Sequence, residues 1–307
     1  NDLIDIGIGR FPTSTLSQAN NIVDKIENYL SISSLGDWRN KILFVADDGD
    51  LNDANQHMAD ADSLANIIND NHSNINIQKI YLDDYEQESS PGGPRSPQTK
   101  NAITNSVNDG ALIVNYTGHG SILGWAQERI LELDQINSFD NFDNLSLFMT
   151  ATCKFSYFDD PKETSAGELL LLNDKGGAIG LLTTTRLVYS DPNYNLNKKF
   201  INNLFEKENN KFLTIGEIFK NTKRQSGTSL NNRNFTLLGD PALKLAYPFY
   251  NIETLDYPDT LKALSEVTIS GKIVDDQGFL VDNFNGLIYP TIFDKEIVKT
   301  TLGQESC

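Results

Sequence analysis

Ala111-Leu112-Ile113-Val114-Asn115-Tyr116-Thr117-Gly118-His119-Gly120 and Leu145-Ser146-Leu147-Phe148-Met149-Thr150-Ala151-Thr152-Cys153 share one plan. In each, a short apolar run leads through small or hydroxylated residues to one side chain able to do acid–base or nucleophilic chemistry, His119 or Cys153. A strand covered on both faces needs a continuous rather than alternating apolar run, and such strands belong to parallel sheets. In a parallel sheet, the segment just after a strand lies at the carboxyl edge, where ligands bind. His119 and Cys153 are 34 residues apart, which leaves room for one crossover. If their strands are neighbours, both side chains emerge side by side at that edge.

The same alternation extends outward in both directions. Lys41-Ile42-Leu43-Phe44-Val45-Ala46 reads as a buried strand, residues 54–69 as a helix with Leu64, Ile67 and Ile68 at helical spacing, and residues 75–82 as the next strand. Residues 83–97 read as a loop, because Pro91-Gly92-Gly93-Pro94 interrupts either element. Residues 97–107 and 163–172 read as helices, and Ala178-Ile179-Gly180-Leu181-Leu182 as a further strand. This pattern predicts an α/β fold over residues 1–247, with helices on both faces of a mostly parallel sheet, a three-layer αβα domain. Residues 248–307 carry no helical pattern. Glu266-Val267-Thr268-Ile269-Ser270-Gly271-Lys272-Ile273-Val274 alternates at period two, and Asp275-Asp276-Gln277-Gly278 signals a turn. This tail is expected to begin a small Ig-like β-sandwich, too short to complete one. The chain starts Asn1-Asp2-Leu3 and reads as a piece of a longer protein.

Composition narrows the function classes. Of 307 residues, 39% are hydrophobic and 22% charged, ordinary values for a folded domain. The formal net charge of −17 repels phosphate backbones, so nucleic acid is not an expected partner. No apolar run reaches the roughly 18 residues of a membrane helix. The two cysteines, Cys153 and Cys307, do not make a disulfide scaffold. Asp47, Asp48, Asp50, Asp53, Asp60 and Asp62 concentrate hard oxygen ligands and invite a calcium reading. A solvated loop and helix start accounts for them equally. His57 and His72 have no metal-ligand spacing with cysteine or with each other, so no zinc site is expected. Gly7-Ile8-Gly9 lacks the third glycine and the acidic residue of a dinucleotide fingerprint.

Cysteine catalysis needs a base within reach of a thiol, which His119 and Cys153 supply if the sheet aligns them. Gly118 and Gly120 give the backbone freedom to turn an N–H toward a substrate carbonyl. The plain alternative is a buried structural thiol and a satisfied histidine.

The Gly-His-Gly and Ala-Thr-Cys segments together resemble the gingipain-type cysteine peptidases. Three more segments agree in order: Ile6-Gly7-Ile8-Gly9-Arg10-Phe11-Pro12, Ala46-Asp47-Asp48-Gly49 with His57 following, and Phe235-Thr236-Leu237-Leu238-Gly239-Asp240-Pro241. The resemblance implies a caspase-like fold, His119 as general base, Cys153 as nucleophile, and the backbone N–H groups of Gly120 and Cys153 as oxyanion donors. It assigns Asp48 to orient the histidine and Tyr189 to wall the primary pocket. Arginine-specific members carry an acid where this chain has Ala54, with Asp53 next door. Trypsin-like specificity is therefore not expected.

The tail Asp282-Asn283-Phe284-Asn285-Gly286, Pro290-Thr291-Ile292-Phe293-Asp294-Lys295 and Thr301-Leu302-Gly303 resembles the β-domain of the family's type IX secretion sortases. That resemblance implies an enzyme at the outer-membrane surface of Bacteroidota, working with a secretion-system partner. Such an enzyme needs no cofactor and removes C-terminal signal domains from cargo proteins. A secreted broad-specificity protease and a catalytically silent assembly module are the alternatives.

Overall fold

Each apolar run becomes a strand of one six-stranded sheet: β1 (Lys41–Ala46), β2 (Asn76–Tyr81), β3 (Ile113–Thr117), β4 (Ser146–Ala151), β5 (Ala178–Thr184) and β6 (Phe235–Gly239). The computed structural model describes residues 3–49, 53–275, 277–293, 298 and 300–301. Asp50, Asp276, Asp294, Lys295, Leu302, Gly303 and Cys307 lie outside the described residues. The strand order is β6-β5-β4-β3-β1-β2, parallel except for β6, which runs antiparallel to β5. The chain runs from β1 outward to β2 and then returns to the other side of β1 as β3. Strand order therefore reverses at β1 and β3, the crevice position of open parallel sheets.

Helices α1 (Leu16–Tyr29), α3 (Pro97–Asp109), α4 (Leu133–Ser138) and α5 (Ala166–Leu172) cover one face. Helices α2 (Gln56–Asn71), α6 (Ser190–Asn203) and α7 (Ile215–Gln225) cover the other. The alternation of strand side chains decides what each layer meets. Leu43, Val45, Val114, Tyr116, Phe148 and Leu181 pack with Ile22, Ile103, Val107 and Leu170 in a single core. On the opposite side, Asn115 of β3 and Asn197 of α6 exchange two side-chain amide hydrogen bonds of 2.8 Å, both residues fully buried. Among the described residues no helix is long and apolar enough to cross a membrane.

Helix starts follow their caps. Thr15 and Gln18 form a reciprocal capping box that sets the first turn of α1, and Thr214 and Glu217 do so for α7. Several boundaries depart from the sequence reading. Residues 83–97 are not all loop: Glu88–Ser90 and Gly93–Arg95 pair antiparallel around Pro91 and Gly92. The helix expected from residue 54 starts at Gln56, because Ala54 has φ +47 and Asn55 forms the cap. The helix expected from residue 163 starts at Ala166, where Ser165 and Glu168 form the capping box.

The glycines of the opening segment have a packing role. A Cβ on Gly7 would meet the backbone of Gly216, and one on Gly9 would meet the carbonyl oxygen of Gly239. Only hydrogen fits there, and it lets Arg10 pair with the sheet edge: its N–H donates to Leu237 O at 3.0 Å and its carbonyl accepts from Gly239 N at 2.9 Å.

The chain divides into two compact units, one built on Asn1–Ala246 and a second of Tyr247–Val298. In the second, β7 (Asn251–Asp256) and β8 (Ser270–Val274) form an antiparallel pair. The predicted alternation thus yields a strand only from Ser270 onward. Beyond it, Asp275 Oδ1 accepts from Gln277 N and Phe279 N at 2.9 Å each; Asp276 of the predicted turn lies outside the described residues.

Candidate active site

Three neighbouring strands, β1, β3 and β4, deliver their following segments to one stretch of the carboxyl edge. β3 and β4 pair parallel with Tyr116 opposite Thr150 and Thr117 opposite Ala151. His119 and Cys153 each lie two residues beyond that last pair, so they leave adjacent strands at the same register. Adjacent strands are about 4.8 Å apart. The two segments touch directly: a Cβ on Gly120 would collide with the Thr152 hydroxyl, so a side chain at 120 would push them apart.

The backbone of His119 is fixed at both ends. Its N–H donates to Asp47 Oδ2 at 2.8 Å, and its carbonyl accepts from the Tyr116 hydroxyl at 2.6 Å and from Ala126 N at 2.9 Å. Tyr116 is fully buried and stacks on Trp125, ring centroids 4.1 Å apart. Burial, with the nearby charges of Asp47 and Glu128, pushes the Tyr116 phenol well above its ordinary value. The phenol therefore stays protonated and keeps donating. Gly118 is the joint that permits this geometry: a Cβ there would strike Asp47 and the Tyr116 hydroxyl.

The imidazole of His119 is held by Asp53, whose Oδ2 lies 2.7 Å from Nε2. Asp53 lies in the turn before α2, not on the helix. Asp53 thus makes an imidazole contact that the sequence reading, which named Asp48 for the orienting role, did not assign to it. The Asp48 carboxylate accepts from the Gln87 side-chain amide. Ala54 is exposed rather than set in a pocket floor.

Cys153 is a half-buried free thiol, and its S–H donates to Val188 O at 3.5 Å. The segment after β5 thus runs past the thiol, as Lys154 N donating to Arg186 O at 3.1 Å also shows. Tyr189 follows Val188 directly. Its backbone N–H donates to Asn231 Oδ1 at 2.7 Å, and the residue is 76% exposed.

Among the described residues, two groups of side chains could hold a metal ion. Asp47, Asp48 and Glu128 bring carboxylate oxygens within 4.8 Å of one another, and Asp47 and Glu128 are buried. Calcium usually takes six to eight oxygens, so these three would be part of its shell. Sequence reasoning named Asp47 and Asp48 but missed Glu128. Asp60 lies apart from them on α2, and Asp62 pairs with Lys79 at 2.5 Å. Asp53, His57 and His119 form the second group. His72 caps α2 and packs on Phe205, ring centroids 4.1 Å apart.

Solved structures share this architecture. Gingipain R (RgpB), an Arg-specific cysteine proteinase, matches with a TM-score of 0.65 at 20% identity, over 88% of this chain and 66% of that one. The complex of Porphyromonas gingivalis RgpB pro- and mature domains matches at 0.64 and 19% identity, over 88% and 68% of the two chains. At these identities the likeness establishes the fold, and the chain spans slightly less than two thirds of the gingipain R chain. Dimeric latent PorU from Porphyromonas gingivalis gives a TM-score of 0.25 at 13% identity, over 80% of this chain and 34% of that one. That score is too low to carry an argument. No match is found among curated proteins. The sheet, the shared register of His119 and Cys153, and a family-model match over residues 1–246 agree: this chain belongs to peptidase family C25, the gingipain family of cysteine peptidases.

Proposed function

We propose that the chain is a cysteine endopeptidase with Cys153 as nucleophile and His119 as base, and that its thioester passes to an amine as well as to water. The observation that carries this is the common register of the two residues on β3 and β4. With Nε2 engaged by Asp53, Nδ1 is the atom that takes the thiol proton. The Sγ thiolate attacks the scissile carbonyl, the backbone N–H groups of Gly120 and Cys153 receive the oxyanion, and a C–S bond forms. The C–N bond then breaks, and the departing amine leaves with the proton from His119. Water or an incoming amine next attacks the thioester, gives its proton to Nδ1, and Sγ leaves as thiolate.

Specificity follows from the turn before α2. Ala54 has no charge, and Asp53 is committed to His119. An arginine before the scissile bond would find no free carboxylate at Asp53 or Ala54, and so no fixed partner for its guanidinium from these two positions. Small uncharged residues are favoured instead, with Tyr189 as a wall. Such a preference suits removal of C-terminal signal domains from secreted cargo at the outer-membrane surface, by a sortase that works with type IX secretion machinery.

The test has two arms. On a Cys307→Ser background, which leaves Cys153 as the one thiol of the sequence, a thiol-reactive acyl probe should add one mass equivalent, and none once Cys153→Ala is added. A peptide panel differing only before the scissile bond should then show a flat or small-residue preference, with acyl transfer to added glycine. Unchanged turnover by Cys153→Ala would remove the nucleophile. A preference for Arg above about tenfold, or 1.4 kcal/mol in transition-state binding, would remove the specificity argument.

A further inference from the structure

Asp53, His57 and His119 make a second constellation beneath the catalytic imidazole. One carboxylate oxygen lies near both histidines: Asp53 Oδ2 is hydrogen-bonded to His119 Nε2 at 2.7 Å and stands 3.8 Å from His57 Nε2. The two rings meet edge to face, with centroids 5.1 Å apart and planes at 89°. One donor atom from each residue falls within 4.8 Å of the others. His57 is 4% exposed, on the first turn of α2, so its ring cannot swing into solvent without moving the helix start.

We propose that these three residues form a reversible inhibitory site for zinc; the inhibitory half of this rests on His119 being the base proposed above. Two imidazoles and one carboxylate make up a donor set that zinc takes, with water as fourth ligand. Ligands about 2.0–2.1 Å from a tetrahedral zinc lie about 3.3–3.4 Å from each other. The 2.7 Å and 3.8 Å separations straddle that spacing, so each changes by about half an ångström. Asp53 sits in a turn rather than in the helix, which lets its carboxylate make that shift. Calcium and magnesium prefer oxygen donors and are poor matches for two imidazoles.

Occupancy would silence the base through its tautomer. A zinc ion takes the Nε2 lone pair of a neutral His119, whose single ring proton then sits on Nδ1. An Nδ1–H cannot accept the proton of the Cys153 thiol. The metal also takes the Asp53 carboxylate away from its role as imidazole partner. No covalent bond to Sγ is needed, which separates this mode from capture of zinc by the thiol itself.

The decisive experiment is read without turnover. Zinc is titrated into the full-length Cys153→Ala chain against a chromophoric chelator. One equivalent is expected, bound at least tenfold less tightly when His57→Gln is added. If circular dichroism shows that His57→Gln disturbs the fold, Asp53→Asn on the same Cys153→Ala background reads the same site and should weaken binding equally. No uptake by Cys153→Ala, or uptake unchanged in both variants, overturns the site. With the wild-type chain, zinc at saturation should lower the rate more than tenfold, EDTA should restore it, and calcium should do neither. Zinc bound with the rate unaltered overturns the inhibitory role while leaving the site in place. A chain inactive even without zinc would refute the peptidase reading and leave the binding result standing.

Discussion

Replacing Asp53 by asparagine isolates the contact that orients the proposed base. The substitution keeps size and hydrogen-bonding capacity but removes the charge beside His119 Nε2. The Asp53 side chain is 20% exposed and that of His119 43% exposed, so the pair is partly screened. A charge-assisted hydrogen bond in such a setting is worth about 1.5–3 kcal/mol. Its contribution grows as the imidazolium forms, because the carboxylate stabilises that charge, so the loss should fall on the chemical step. At about 1.4 kcal/mol per power of ten, kcat should fall about ten- to a hundredfold with little change in KM. The same protein should still take the acyl probe at Cys153, only more slowly, since the thiol itself is unchanged. Asp48→Asn is the control: its carboxylate accepts from Gln87 and should matter less. Stopped-flow kinetics on matched peptides with both variants decides the point. A larger kcat loss in Asp48→Asn than in Asp53→Asn would refute the assignment and return the orienting role to Asp48.

Two further outcomes concern stability. Burial, then the neighbouring charge of Asp191, raises the Asp60 carboxyl from 3.8 to about 6. The folded state therefore favours protonated Asp60, and the contribution of this group to stability is fully present below about pH 4 and is lost as pH rises to about 6. Discounting for its half-exposed position, Asp60→Asn should stabilise the fold by about 1 kcal/mol at pH 7 and by little at pH 4, read by urea denaturation. Asn115→Ala should cost about 2–4 kcal/mol by leaving the buried amide of Asn197 without its partner. The double change Asn115→Val with Asn197→Val should cost less than the sum of its single changes, and strict additivity in the melts would remove the coupling.

The layered α/β fold was legible in local patterns because its causes are local. Continuous apolar runs dictate strands buried on both faces, and Thr15 with Gln18 and Ser165 with Glu168 set helix starts through contacts three residues apart. The Gly-His-Gly and Ala-Thr-Cys segments were legible for the same reason, since the residues following a strand mark its carboxyl edge wherever the strand sits. Other features depended on which strands became neighbours. Asp53 meets His119 across 66 residues of chain, and the 34 residues between His119 and Cys153 become a shared register only because β3 pairs with β4. His57 and His119 have no ligand spacing along the chain, yet they face one carboxylate oxygen. Glu128 joins Asp47 and Asp48 from a separate loop, and Gly7 and Gly9 are needed for a close approach to backbone more than two hundred residues away. Periodicity, caps and turns are short-range and can be read from neighbours in sequence. The direction of a carboxylate in a left-handed turn, or the partner across a sheet, is decided by steric fit between distant segments, and only the folded chain brings those segments together.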